Sequence, residues 1–200
     1  MSTMIVRYDE LPLNVTDVLR YAGCREADAA ALDLLYACWD ELRDGLTNTV
    51  CYDEFPVTVR GTLCDFGRFS LSSDDLAAYF DGCDRAVLFA ATVGVAADRL
   101  IAKYSRLSPS KALMIQALGA ERIEVLCDRF CDEVAERYGA SAPSRFSPGY
   151  GDLPLAAQRD IFRVLDCTHK IGVCLNDSLL MSPSKSVTAF IGIKEKKAKL

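Results

Sequence analysis

The sequence predicts an α+β domain built on a mainly antiparallel or mixed twisted sheet with flanking helices, and three observations predict it. Strand-like segments fall both early and late, helical periodicity fills the middle, and neither G-x-G-x-x-G nor G-x-x-x-x-G-K-S/T occurs to support a doubly wound or phosphate-cradling fold. Two hundred residues, 50% of them hydrophobic at a mean hydropathy of +0.11, suffice for a packed core.

The first helix is announced by Asn14-Val15-Thr16-Asp17, a capping side chain three residues before an acidic one. Val15, Val18, Leu19 and Ala22 then recur at helical spacing up to Gly23. From Glu26 to Leu42 an alanine-rich stretch carries Leu32, Leu34, Leu35, Cys38, Trp39 and Leu42 on one face, which predicts a second helix with Trp39 in the core. Val50 to Leu71 is rich in Val, Thr, Phe, Tyr and Cys and is punctuated by Pro56, Gly61 and Gly67, the pattern of two strands with turns. Ser72-Ser73-Asp74-Asp75 then caps a helix. The apolar run from Arg85 to Ala91, closed by Thr92-Val93-Gly94, reads as a buried strand feeding a turn.

A helix over Val95 to Leu107 stops at Ser108-Pro109, because the residue before proline is pushed out of the α region. Residues Ser110 to Tyr138 form the longest periodic segment, with a broad apolar face ended by Gly139. Ala140 to Pro154 holds three prolines and two glycines and is a shaped loop. Leu155 to Leu165 is helical, Ile171 to Leu175 is a short apolar run, and Ser186 to Ile193 is the last strand. Lys194 to Lys199 reads as a solvated tail.

Charge and composition narrow the function. With 23 Lys and Arg against 28 Asp and Glu, the net charge of −5 offers no footprint for nucleic acid or an anionic membrane. No run of about eighteen apolar residues occurs, and Met1-Ser2-Thr3-Met4 lacks the layout of a secretory signal, so a cytoplasmic location is expected. Nine cysteines without any C-x-x-C spacing are expected as reduced, mostly buried thiols with no structural metal. His169 is the only histidine and is expected as an exposed residue before a strand, not as a base or corrinoid ligand. Pro183-Ser184-Lys185 is read as a turn before Ser186 starts its strand, in preference to a Ser-Lys catalytic pair.

The stretch from Arg145 to Pro154 carries the most chemistry. Pro148 and Gly149 allow a tight turn whose backbone can approach a ligand. Arg145 offers a planar fork for a carboxylate, and Tyr150 offers a flat face for a purine or a cationic sulfur. Together they suit a zwitterionic adenosyl ligand, although an Arg and a Tyr around Pro-Gly also make an ordinary structural loop.

Arg145-Phe146-Ser147-Pro148-Gly149-Tyr150-Gly151 resembles the R-x-x-P-G-Y motif of the activation domain of cobalamin-dependent methionine synthase. Phe89 to Gly94 followed by Ala97-Asp98-Arg99-Leu100 looks like that family's strand, turn and helix, and Ala117 to Glu136 like its long helix. Ile171 to Ser178 and Met181 to Ala189 resemble its G-x-x-L-T-x-S and M-x-P-x-x-S-V-S stretches. The resemblance covers Arg85 to Ile193 and is most specific in the two C-terminal motifs.

What the resemblance implies is a module that binds S-adenosylmethionine through Arg145, Ser147, Pro148, Gly149 and Tyr150. Ser147 is a small-for-small departure that leaves backbone contacts intact. Asp177 and Ser178 brace a turn between strands and are candidates for lying next to the ligand. No residue is assigned a catalytic role, since methyl transfer from a sulfonium to reduced cobalt needs orientation without acid or base. Residues 1–84 form a lead segment of the same domain, 85–193 the activation-domain-like core and 194–200 the lysine-rich tail.

Without a recognisable cobalamin or folate module, the corrinoid is expected on a partner, a methionine synthase lacking its own activation domain, with a flavoprotein as electron donor. Acting in trans, the module would support reductive remethylation of the oxidised corrinoid and show no turnover alone. The family's aromatic-bearing segment after the last motif has no counterpart after Ile193, which favours, as an alternative, a docking module for a corrinoid protein that does not bind S-adenosylmethionine. A corrinoid-linked methyltransferase acting independently is the other alternative.

Overall fold

The computed structural model describes residues 3–24, 27–139 and 144–194. Its framework is a five-stranded sheet in which every neighbouring pair is antiparallel, so the mixed option is not used. Strand β1 (Met4–Arg7) lies at one edge, followed across the sheet by β2 (Thr49–Pro56), β6 (Arg85–Thr92), β10 (Ser186–Ile193) and the two-residue β7 (Arg145–Phe146). Period-two alternation along β6 sends Ala86, Leu88 and Ala90 to one face and Val87, Phe89 and Ala91 to the other, and both faces are covered. That double burial is why the run reads as continuously apolar.

On the second face lies α5 (Pro109–Tyr138), 30 residues and about 45 Å long, with Ile123, Leu126, Cys127, Phe130 and Val134 against Val50, Phe89 and Ile191. It begins with Pro109 at its first turn and ends on Gly139 at φ 59°, as its sequence signals require. Its outer side packs against α1 (Val15–Tyr21), α2 (Ala29–Leu42) and α4 (Ala96–Leu107) through a second helical layer. Asn14 caps α1 and Asp28 caps α2, the latter three residues later than the Glu26 start expected; Glu26 itself lies outside the described residues. Trp39 is half-buried at the rim of this layer, where Arg122 Cζ sits 5.2 Å from its ring centre, and is not a core residue.

Two adjacent charged residues on α5 are the exception to this apolar layer. Glu121 and Arg122 are each 1% exposed. Their ion pair is completed by Asn14 N–H, which donates to Glu121 at 2.8 Å, and by the Leu11 and Pro12 carbonyls, which accept from Arg122. All the strong valences are met, and the segment from Leu11 to Asn14 is tied to the helix.

The first face carries α3 (Asp74–Tyr79), α6 (Gln158–Leu165), α7 (Cys167–Ile171) and a small separate sheet. Here the expected two strands between Val50 and Leu71 prove to be four: after β2 come β3 (Thr58–Arg60), β4 (Leu63–Asp65) and β5 (Ser70–Ser72). Gly61 at φ +60° and Gly67 at φ +77° turn the chain too often for a long strand to persist. Ile171 also departs from expectation, closing α7 instead of starting a strand. Only Cys174–Leu175 (β8) pairs, with Met181–Ser182 (β9). His169 is exposed on α7 with Nδ1 2.6 Å from Asp166 Oδ1.

All nine cysteines are free, and six of them are buried. Burial pushes the Cys131 thiol up to about 11, and the Cys127 thiol up as well, so both stay protonated at neutral pH and pack as small apolar groups. Among the described residues, no cluster of His, Cys, Asp or Glu could hold a metal and no helix is long and apolar enough to cross a membrane. The expected tail from Lys194 falls, from residue 195 on, outside the described residues, as do residues 140–143 of the loop.

Candidate functional site

The edge of the main sheet opens where β7 stops. The ladder between β10 and β7 pairs Ile191 with Arg145 and Phe190 with Phe146 and then ends, because the chain leaves the sheet at Ser147 and Pro148. Continued by two residues in the same register, the ladder would set Pro148 opposite Thr188, and proline has no N–H to give. The turn that follows is held by its own backbone, with Tyr150 N–H donating to Ser147 O, Gly149 N–H to Leu153 O and Leu153 N–H to Tyr150 O. Gly149 sits at φ +90°, the conformation its position in the motif calls for.

A carboxylate clamps this turn to its neighbour. Asp152 accepts from the Ser73 hydroxyl and from the N–H groups of Asp74 and Asp75 at the start of α3, while Asp75 accepts from Asp152 N–H. Those donors, the Ser73 hydroxyl first, hold the Asp152 carboxyl below its usual range. Gly151 has φ +53°, and a Cβ there would lie 1.9 Å from Asp75 Oδ2. Gly151→Ala is therefore expected to strain the backbone by about 1–2 kcal/mol and break the clamp, lowering the melting temperature by several degrees. An unchanged melting curve would show that the loop rearranges freely.

Between this turn, α5, α6 and the open end of β10 lies a cleft of about 160 Å³. Of the residues expected at a site, Arg145, Ser147, Pro148 and Tyr150 line it, and Gly149 shapes the turn beside it. Asp177 and Ser178 are exposed at the tip of the β8–β9 hairpin and are not among the lining residues. The hairpin's contribution is Met181, and its turn is braced by Asn176, whose Oδ1 accepts from Leu180 N–H. Ser184 is engaged structurally, its N–H 2.9 Å from Asp98 on α4.

The lining also includes Glu124 and Gln158, which sequence reasoning passed over, and Ser186, Val187 and Thr188, which lie in the Met181–Ala189 motif stretch but were not assigned to the site. For Gln158 there was a signal. It stands three residues before Ile161 and seven before Leu165, so it is the polar member of an otherwise apolar helical stripe.

Arg145 does not stand free. Its guanidinium donates to Asp128 at 2.8 Å and to Glu124, both on α5, so one positive charge faces two negative ones. The mouth of the cleft thus carries a net negative charge. Tyr150, 57% exposed, forms its rim, with its ring 6.1 Å from Phe146. Deeper in the wall, Gln158 and Thr188 are 5% and 2% exposed, and among the described residues Gln158 Oε1 and Thr188 Oγ have no hydrogen-bond partner. Buried oxygens left without donors cost about 1–3 kcal/mol each, an expense that a polar ligand would offset.

Residues 67–199 match the family described as the vitamin B12 dependent methionine synthase, activation domain. The chain belongs to this family. The match reaches further upstream than Arg85, taking in the turn at Gly67, β5 and α3. Among solved structures the chain is similar to the crystal structure of the MetH reactivation domain bound to AdoHcy, with a TM-score of 0.71 and 16% identity over 100% of this chain and 80% of that one. At that identity the likeness establishes the fold of an activation domain. No curated protein matches the chain.

Proposed function

We propose that this activation-domain family member binds S-adenosylmethionine in the cleft between the Arg145–Tyr150 turn, α5 and α6, and presents it to an oxidised corrinoid held by a partner protein. The observation that carries the reading is that the R-x-x-P-G-Y turn lines a cleft whose wall contains two buried side-chain oxygens without a partner among the described residues. S-adenosylmethionine bears a sulfonium and an ammonium against one carboxylate, so its net positive charge suits the acidic mouth made by Glu124 and Asp128.

The size of the cleft supports delivery to a second protein. At about 160 Å³ it is smaller than the roughly 300–1,000 Å³ of sites that enclose a ligand, so part of the molecule would remain uncovered. A donor whose methyl group must be reached by cobalt on another protein has to be bound in this way. The sulfonium supplies the methyl group, and the residues of this chain bind and orient it. The corrinoid would arrive on a methionine synthase lacking its own activation domain, and a flavoprotein would supply the electron.

Calorimetric titration with S-adenosylmethionine tests the reading: saturable one-to-one binding is expected, and the purified chain should make no methionine from homocysteine and methyl-folate. A second reading, a docking module for a corrinoid protein, is favoured by one observation, that the Arg145 fork is already taken by two carboxylates. It becomes the better account if no binding occurs at millimolar ligand.

A further inference from the structure

Beyond the motif turn, two polar residues line the cleft wall. Gln158 opens α6 and Thr188 lies on β10, and both line the same cleft although their elements are separate in sequence. Among the described residues, no hydrogen bond reaches Gln158 Oε1 or Thr188 Oγ, even though both atoms are withdrawn from water. The described residues offer neither atom a donor, and the cleft that both residues line is the open space beside them.

The surroundings define what that donor is. Charges stand at the mouth, where Glu124, Asp128 and Arg145 retain solvent contact, whereas the inner wall of Gln158 and Thr188 is neutral. An ammonium placed against neutral oxygens at that depth would lose its hydration without a counter-charge, a cost of several kcal/mol. A neutral planar group with N–H donors pays no such penalty. A carboxamide presents one acceptor and one donor side by side, the complement of the adjacent N6–H and N7 of adenine, which glutamine pairs with two parallel hydrogen bonds. The Thr188 hydroxyl rotates to donate or accept and adds a contact that does not discriminate.

The strand edge fits the same partner. Gly192 N–H donates to Tyr79 Oη and Phe190 O accepts from it, so even-numbered residues of β10 direct their backbone groups away from β6. Thr188 shares that alternation, and the ladder to β7 has stopped before it. Among the described residues, the edge of β10 at Thr188 has no strand partner, and Thr188 lines the cleft together with Gln158.

We infer that Gln158, with Thr188, reads the 6-amino edge of an adenosyl group and makes the cleft selective for adenosyl over inosyl ligands. The inference rests on the reading given under the proposed function. Its test is titration of the whole chain with S-adenosylhomocysteine and with S-inosylhomocysteine, in which a carbonyl replaces the 6-amino group. Wild-type protein should prefer the adenosyl compound by about 10- to 100-fold. Gln158→Leu should weaken adenosyl binding by about 10-fold or more and abolish the preference, and Thr188→Val should weaken both ligands while keeping it.

Because each substitution removes an unpartnered buried oxygen, both variants should melt at or above the wild-type temperature. Lower melting would mean that these side chains serve the fold, and would overturn the inference. Equal wild-type affinity for the two ligands would overturn it too, without touching the proposed function, and needs no variant. Binding of neither ligand, nor of S-adenosylmethionine, would remove both.

Discussion

Glu121→Ala is expected to destabilise the protein by about 3–5 kcal/mol, the cost of leaving a buried guanidinium without its counter-charge. Arg122 is 1% exposed, held between α5 and the Leu11–Pro12 segment, whose carbonyls accept from it. The Asn14 N–H, which donates to Glu121 at 2.8 Å, would be stranded as well. A double replacement, Glu121→Leu with Arg122→Met, should recover part of the loss, since an apolar pair needs no counter-charge. It should not recover all of it, because Leu11 and Pro12 lose the donor that ties their carbonyls to the helix. Urea denaturation midpoints measure both, and a single variant within 1 kcal/mol of wild type would mean that water enters this layer.

Arg145→Ala is expected to weaken S-adenosylmethionine binding by about 10- to 150-fold, the loss of a two-pronged, charge-assisted contact worth roughly 1.5–3 kcal/mol. The structure gives this experiment a sign as well as a size. Arg145 now neutralises Glu124 and Asp128, so removing it also leaves two unopposed carboxylates facing a cationic ligand. If the arginine binds the ligand carboxylate, exchanging one of these acids for it, the variant binds more weakly and Arg145→Lys recovers only part of the affinity. If it merely restrains the two acids, the variant binds as well as wild type or better. Titration of the folded variant separates the two, and tight binding would withdraw the ligand role from this residue.

Much of the framework could be read from the sequence because its signals are local and long. β6 is apolar on both faces, α5 repeats its periodicity over eight turns, and Asn14, Ser73 and Gly139 mark helix ends with the chemistry of their own side chains or backbone. Short elements were harder. β1 is a four-residue edge strand with mostly exposed side chains, and β3, β4 and β5 have three residues each, too few for an alternation to stand out.

The candidate site was legible where a contiguous motif makes a turn, from Arg145 to Tyr150. Its remaining walls are assembled by tertiary packing. Glu124 looks like any acidic position on the solvated side of a long helix until β7 brings Arg145 beside it, and Thr188 looks like an ordinary strand residue until β7 is seen to stop short. Asp177 and Ser178 follow the opposite course, part of a motif stretch in sequence yet exposed at the tip of the β8–β9 hairpin and not among the lining residues.

The place of β10 in the sheet bears on how the protein is made. It pairs along its full length with β6, Ser186 to Thr92 through Ile193 to Arg85, so contacts about a hundred residues apart must form before the sheet is whole. Until the ribosome has released residue 193, β6 has only one hydrogen-bonded neighbour, and its other edge is a bare row of amides flanked by apolar side chains. Such a nascent intermediate is slow to mature, because loop closure comes before any reward, and it offers a template for pairing with other unfinished chains. Expression yield and chaperone dependence should therefore respond more to substitutions along β10 than to equally buried ones in the α1–α2 layer, which packs onto α5 without waiting for the last strand.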